Sequence, residues 1–129
     1  MRGVTFSARM VLLVLFLVPA AEAQVPAGGE FVVKSTPFDT TADVAVDPGS
    51  GFVVVWNEDD GPSHVLNGQR FDARGARRGA EFNISAGDDD FAPLVAGFAS
   101  GRFVVGWWRS FGGLFARIFD ASGAPLGPE

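Results

Sequence analysis

The chain has 129 residues, of which ten are Lys or Arg, 15 are Asp or Glu and none is Cys. Its net charge of −5 argues against nucleic acid as a partner, because binding to phosphates calls for a basic surface. No disulfide can form, so the fold depends on burying apolar side chains, and 13 Phe and three Trp supply the largest area for this.

Residues 1–23 are predicted to be a signal peptide. Two arginines precede an apolar run at residues 10–18, and Ala21 and Ala23 are the small residues that a signal peptidase requires before its cleavage site. The run is shorter than the roughly 20 residues that a membrane span needs, although a retained N-terminal anchor is the alternative. We therefore expect a secreted or cell-surface protein whose mature chain begins at Gln24 and has no membrane contact.

The mature chain, residues 24–129, is predicted to consist of two tandem β-repeats. Residues 28–56 align without a gap with residues 79–107 at an offset of 51, and both stretches end on a Trp that closes an apolar run. A second register, at an offset of 48, aligns residues 71–81 with residues 119–129. One deletion in a loop separates the two registers, as expected for repeats with a common framework.

We place the repeats at residues 28–78 and 79–126, with residues 127–129 as the start of a third. The mature length is that of a single domain. A closed propeller needs at least about four blades, so two copies are too few. The sequence therefore predicts the N-terminal part of a longer array.

Every predicted element of the mature chain is a strand, because no segment has apolar residues at helical spacing without an interrupting Gly or Pro. Residues 30–34 take the place of a fourth strand from a preceding copy. The second repeat has counterparts of the first three strands of the first repeat. The strands of the first repeat are predicted at residues 43–47, 52–57, 65–72 and 81–85.

The second strand of each repeat is apolar on both faces. In the first repeat Phe52, Val54 and Trp56 point to one side. Val53 and Val55 point to the other, so both faces must be covered by neighbouring sheets. The sequence therefore predicts an all-β fold of two four-stranded antiparallel units stacked like propeller blades. A small β-sandwich of two four-stranded sheets is the alternative.

The sequence Phe-Asp-Ala-Xaa-Gly occurs once in each repeat, at residues 71–75 and 119–123. The Asp side chain can accept hydrogen bonds from the backbone of a tight turn, and the Gly three residues later can adopt a positive φ. We therefore predict the same turn at the end of the third strand in both repeats.

These motifs resemble the tandem β-repeats of large exported bacterial proteins. The units of those repeats contain Phe-Val-Val-Val-Trp, then Gly-Gln-Arg-Phe-Asp-Ala, then Gly-Xaa-Xaa-Xaa-Gly-Xaa-Glu-Phe. The second repeat is a weaker copy, in which Gly106 replaces a Val and residues 116–118 read Ala-Arg-Ile in place of Gly-Gln-Arg. The resemblance covers nearly all of the mature chain and implies a propeller-like architecture and extracellular placement, but no activity. The resemblance rests on residues 52–56 and 68–73 and on Gly75, Gly79, Glu81 and Phe82.

No catalytic, cofactor or metal site is predicted. The acidic runs at residues 57–61 and 88–90 offer carboxylates to Ca²⁺, but neither has the alternating acidic spacing of a calcium loop. His64 is the only histidine, so no paired-imidazole zinc site can form. Ser63 and a nearby Asp complete the residue types of a catalytic triad, but neighbouring positions in sequence do not supply its geometry.

The leading interpretation is an exported, non-enzymatic module that serves as a scaffold or recognition surface. Trp108 and Arg109 are the candidate contact residues, because an exposed Trp beside an Arg can stack on a sugar ring or anchor a protein. For Trp108 itself we favour packing against a further unit over a ligand contact, because an array buries both faces of each sheet. The expected partners are further copies of the repeat in the same chain, a second copy of the protein, or a protein or carbohydrate ligand.

The competing function class is an accessory domain of a secreted enzyme whose catalytic part lies beyond Glu129.

In a stack of only two units, we also expect one apolar face to stay uncovered at each end. Trp56 lies on the first of these faces and Trp108 on the second.

Overall fold

The computed structural model describes residues 28–35, 40–49, 51–59, 64–85 and 89–129. The predicted signal peptide and Asp88 lie outside these residues. In the described part the chain forms strands and no helix, and a helix able to cross a membrane is accordingly not found there. The strands are β1 (Ala42–Asp47), β2 (Gly51–Asp59), β3 (His64–Asp72), β4 (Phe82–Asn83), β5 (Asp90–Gly97), β6 (Phe103–Arg109) and β7 (Gly113–Phe119).

The strands form two antiparallel sheets that follow one another along the chain. Sheet 1 has the order β1-β2-β3-β4, and sheet 2 has the order β5-β6-β7. The all-β prediction is confirmed, and the first unit has its four strands. The second unit differs from the prediction, because sheet 2 has three strands in the described residues rather than four. Two stacked sheets of this size are also compatible with the small-sandwich alternative.

The turn that ends β3 is built by Asp72. Its Oδ1 accepts hydrogen bonds from the backbone N–H of Arg74 at 2.8 Å and of Ala76 at 2.9 Å. Gly75 has a φ of 83°, a left-handed conformation in which any other side chain would be strained. The predicted side-chain cap and the predicted positive φ are both confirmed for this turn.

The turn that ends β7 has the same construction. Oδ1 of Asp120 accepts hydrogen bonds from the backbone N–H of Ser122 at 2.8 Å and of Ala124 at 3.0 Å. Gly123 has a φ of 92°. The chain is therefore reversed by the same local chemistry after the third strand of both sheets.

The two sheets pack face to face on a common core. The inner face of sheet 1 is the side that carries Val53, Val55 and Leu66, and the inner face of sheet 2 is the side that carries Val105 and Trp107. The buried residues between them are Ala45, Val53, Val55, Leu66, Ile84, Phe103, Val105, Trp107 and Phe119, with Phe82, Val95 and Phe115 packed at the margin.

Phe82 links the sheets, because its backbone belongs to one and its ring to the other. The backbone pairs with Gly68 of β3 in sheet 1. The ring lies 5.9 Å from the ring of Phe103 and 5.6 Å from that of Phe119, which are stacked on each other in sheet 2. A Cβ atom at Gly68 would lie 2.6 Å from the Phe82 ring, so only glycine leaves room for this contact.

A second group of three rings lies on the outer face of sheet 1, the side that carries Val44, Val46 and Val54. Phe52 and Phe71 are stacked with centroids 5.1 Å apart, and Phe31 lies 5.6 Å from Phe71. The 28–35 segment thus covers part of this face.

Because of this cover, Trp56 is only 2 % exposed. Val33, Lys34 and Thr40 line the same small cavity as Trp56. The expectation that Trp56 lies on an uncovered face is therefore wrong, because it left out the 28–35 segment. The exposed part of the outer face of sheet 1 is instead formed by Val44 and Val46.

Trp56→Ala and Trp107→Ala are each expected to lower the free energy of unfolding by about 3 to 5 kcal/mol, the usual cost of truncating a buried aromatic side chain. The two side chains are 2 % and 1 % exposed. Trp107→Phe should lose much less, because it keeps a ring and removes an indole N–H that has no hydrogen-bond partner in the structure. Urea unfolding measures all three.

His64→Ala is the control for these variants. The His64 side chain is 41 % exposed and pairs with Asp89 at 3.1 Å, and an exposed pair contributes little. We expect a change below about 0.5 kcal/mol. A loss at His64 as large as at either Trp would contradict this assignment of core and surface.

The turn carboxylates should make the fold less stable in acid. The hydrogen bond from the Ala76 backbone lowers the pKa of Asp72, and that from the Ser122 hydroxyl lowers the pKa of Asp120, both from an ordinary 3.8. A carboxylate whose pKa is lower in the folded state stabilises the fold above the unfolded pKa, and this stabilisation is lost as the pH falls through the folded value. The urea midpoint should therefore decline below about pH 4. The decline should be shallower in a variant with Asp72→Asn and Asp120→Asn, and an equal slope would exclude these two groups as a cause.

Candidate interaction surface

The two adjacent tryptophans of β6 point to opposite sides of sheet 2. Trp107 is 1 % exposed in the core, whereas Trp108 is 49 % exposed. This follows from the alternation of side chains along a strand. Trp108 therefore lies on the outer face of sheet 2, where no other part of the described chain covers it fully.

The outer face of sheet 2 is apolar throughout. Side chains from all three strands meet on it, because the register places Leu94 and Ala116 on either side of Gly106, and Leu114 beside Trp108. None of the residues on this face is charged. The outer face of sheet 2 consists of Leu94, Ala96, Val104, Gly106, Trp108, Leu114, Ala116 and Ile118.

A groove of about 480 Å³ runs across this face. Gly106 has no side chain at its centre, and Leu94, Trp108 and Leu114 form its walls. Leu94 is 69 % exposed and Leu114 is 77 % exposed. Contiguous exposed apolar surface of this kind marks binding sites on soluble proteins.

Of these residues, only Val104 and Trp108 could be assigned to an open face by considering the second strand alone. Leu114, Ala116 and Ile118 were missed because β7 also carries large apolar side chains on its other side, Phe115 and Phe119. A period-two reading of residues 113–119 could have found them, since alternate positions then form one uninterrupted apolar row.

Arg109, the second candidate contact residue, is on the opposite side from Trp108. Its Nε donates to Oδ1 of Asp90 at 2.7 Å, and its Nη2 donates to Oδ2 of Asp90 at 3.0 Å and to Oε2 of Glu129 at 2.7 Å. The guanidinium also lies over the ring of Phe115, 4.1 Å from the centroid. The hydrogen bonds that Arg109 donates to Asp90 and, to a smaller extent, to Glu129 raise the pKa of Arg109. The structure therefore does not bring Trp108 and Arg109 into one surface.

The role of Arg109 is to neutralise a buried carboxylate, since the side chain of Asp90 is 0 % exposed. A bidentate pair of this geometry is among the stronger ion pairs in proteins. The equivalent part of sheet 1 holds a more exposed cluster, in which Lys34 lies 3.3 Å from Glu58 and 3.0 Å from Glu81.

Arg109→Leu is expected to lower the free energy of unfolding by about 3 to 5 kcal/mol, because it leaves Asp90 buried without a counter-ion. Adding Asp90→Asn should recover part of this loss, so the double variant should be more stable than the sum of the single changes predicts. Lys34→Gln is the matched control in sheet 1 and should cost at most about 1 kcal/mol, since its partners are partly exposed. Equal losses for Arg109→Leu and Lys34→Gln would contradict the assignment.

Two further acidic side chains are engaged within the described part of the chain. Asp89 pairs with His64 at 3.1 Å, and Oδ2 of Asp43 accepts a hydrogen bond from the backbone N–H of Val95 at 2.8 Å. Among the residues that the structure describes, no three His, Asp or Glu side chains are grouped so as to hold a metal ion. Ser63, the hydroxyl considered beside His64, lies outside the described residues.

The outer face of sheet 2 corresponds in sequence to the inner face of sheet 1. The offsets of 51 and 48 match Val104 with Val53 and Leu114 with Leu66. The polar members of the inner face of sheet 1 are replaced by apolar residues. Asp43 becomes Leu94, Asn57 becomes Trp108 and Arg70 becomes Ile118. The exposed face is therefore more apolar than its buried counterpart.

No family model matches this chain, and neither does any curated protein or solved structure.

Proposed function

We propose that this protein is an exported, non-enzymatic module of stacked, propeller-like β-units that serves as a scaffold or recognition surface. Its contact surface is the outer face of sheet 2. The observation that carries the proposal is the apolar character of that face, on which Leu94, Trp108 and Leu114 are all exposed while their sequence counterparts in sheet 1 face the core.

The way in which the two sheets stack supports an array to which further units can be added. Val53 and Val55 of sheet 1 face Val105 and Trp107 of sheet 2. The counterparts of Val105 and Trp107 in sheet 1 are Val54 and Trp56, which lie on its other side. The two sheets thus meet through different faces of the unit. Contacts of this head-to-tail kind leave one face of each type open at the ends and allow further units to be added.

The array can be tested by adding two further copies of residues 82–129 after Glu129, which continues the register in which Glu129 matches Glu81. Each added unit should cover an apolar face, so the urea midpoint should rise above that of the original chain. Val104→Asp together with Leu114→Lys in the original second unit should abolish the gain, because charged side chains would then face the added unit at the positions of Val53 and Leu66. A chain that is monomeric, melts above about 65 °C and gains nothing from the added copies would mean that its two sheets form a closed sandwich.

Export is tested separately by N-terminal sequencing of the protein recovered outside the cytoplasm. We expect Gln24 as the first residue, because Ala21 and Ala23 precede it. Recovery of the chain with Met1 in the membrane fraction would contradict cleavage and indicate the anchored form.

A further inference from the structure

We infer that the outer face of sheet 2 binds the outer face of sheet 1 of a second copy of this chain, in a head-to-tail contact. The inference rests on the proposed function and names the partner of its contact surface. Both faces present exposed apolar side chains. Trp108 and Leu114 are 49 % and 77 % exposed on the first, and Val44 and Val46 are 59 % and 80 % exposed on the second.

The contact inside the chain provides the template. There the inner face of sheet 1 packs on the inner face of sheet 2, and Phe82 of β4 and the following Ile84 join the same core. The residues on the outer face of sheet 2 are the sequence counterparts of those on the inner face of sheet 1. The residues on the outer face of sheet 1, together with Phe31 and Val33 lying over it, are the counterparts of those on the inner face of sheet 2. A second copy therefore offers the surface that this type of face already binds.

The hydrogen bonds at the edge of the sheets favour the same occupant. Inside the chain, the backbone N–H of Val95 needs an acceptor, and Oδ2 of Asp43 in the facing sheet supplies it at 2.8 Å. Leu94 occupies the position of Asp43 on the outer face of sheet 2 and has no acceptor to offer. A second copy does not require one there, because the N–H of its Val44, the counterpart of Val95, donates to Oδ1 of its own Asp43 at 2.9 Å. The outer face of sheet 2 thus lacks a hydrogen-bond acceptor at Leu94, and the outer face of sheet 1 does not need one because its Val44 N–H is already bonded to Asp43.

The two contacts differ at one end. A Cβ atom at Gly97 would lie 2.7 Å from the carbonyl oxygen of Val46, so inside the chain the two edge strands approach closely only because Gly97 has no side chain. A second copy presents Val46 at that position. The strands must therefore be farther apart there, and the larger Trp108, in place of Asn57, is available to fill space at the other end of the groove. We expect a weaker and reversible association.

A head-to-tail contact does not close on itself in a dimer. Each bound copy exposes a further face of each type, so assembly should continue with rising concentration into longer species or rings. A same-face contact between two copies of sheet 2 would instead stop at a dimer. This difference separates the two arrangements experimentally.

The test uses the full chain and two single substitutions at exposed positions, Leu114→Glu on the outer face of sheet 2 and Val46→Glu on the outer face of sheet 1. In sedimentation velocity the unmodified chain should show species that grow with concentration, and each variant alone should be monomeric. An equimolar mixture of the two variants should form a 1:1 dimer and nothing larger, because each retains the face that the other lacks. Circular dichroism checks that both variants are folded, and Leu94→Glu and Val44→Glu replace either one that is not.

Phe111→Glu is the matched control. Phe111 lies fully exposed at the tip of the β6–β7 hairpin and on neither face, so this variant should associate as the unmodified chain does. Three results would overturn the inference. They are a chain that stays monomeric at all concentrations, a dimer that Leu114→Glu abolishes and Val46→Glu leaves intact, and an association that survives both changes and so depends on residues 1–27 or another surface.

These outcomes can be told apart from failure of the proposed function. A monomeric chain would exclude a second copy as the partner and leave the results of the added-copy and export experiments unchanged. A chain that gains no stability from added copies would contradict the array, whether or not separate copies associate.

Discussion

The contact of Phe82 with the stacked rings of Phe103 and Phe119 holds the two sheets in their relation to each other. It depends on the glycine at position 68, which lets the ring pass close to β3. Because the backbone of Phe82 is part of sheet 1 and its ring is part of the core of sheet 2, neither sheet completes its core alone. Aromatic rings bury large apolar areas and stack with defined geometry, which a chain without disulfides needs in order to fix two small sheets against each other.

The direction of stacking follows from this contact and explains the open face. The ring of Phe82 covers one side of sheet 2, the same side that receives Val53 and Val55 from sheet 1. The other side of sheet 2 has no equivalent cover among the described residues. On sheet 1 the 28–35 segment brings Phe31 to the position that Phe82 has on sheet 2 and buries Trp56. The molecule thus has one end that is partly covered and another that presents Trp108.

The two sheets carry a charged side chain at the same repeat position, but the sign of that charge differs between them. Glu58 in sheet 1 corresponds to Arg109 in sheet 2. Glu58 pairs with Lys34, which also contacts Glu81, and Arg109 pairs with Asp90 and Glu129. A buried or half-buried charge is tolerated only with a partner nearby, so a change of sign at one position requires a compensating partner at another. These clusters are part of the framework, whereas the surface proposed for recognition is apolar.

The sequence by itself determined what depends on short-range order. Alternating apolar residues predicted the strands, and the Asp-Ala-Xaa-Gly motif predicted both turns, because the Asp side chain and the positive φ of Gly75 act within a few residues. The choice of Trp108 as the exposed Trp followed only in part, since alternation shows that it opposes Trp107 but not which of the two is buried. The tertiary structure decided that, together with the inward position of Arg109 and the cover over Trp56. These outcomes depend on which sheet packs on which face and on where residues 28–35 run, and such contacts between distant residues leave no local pattern in the chain.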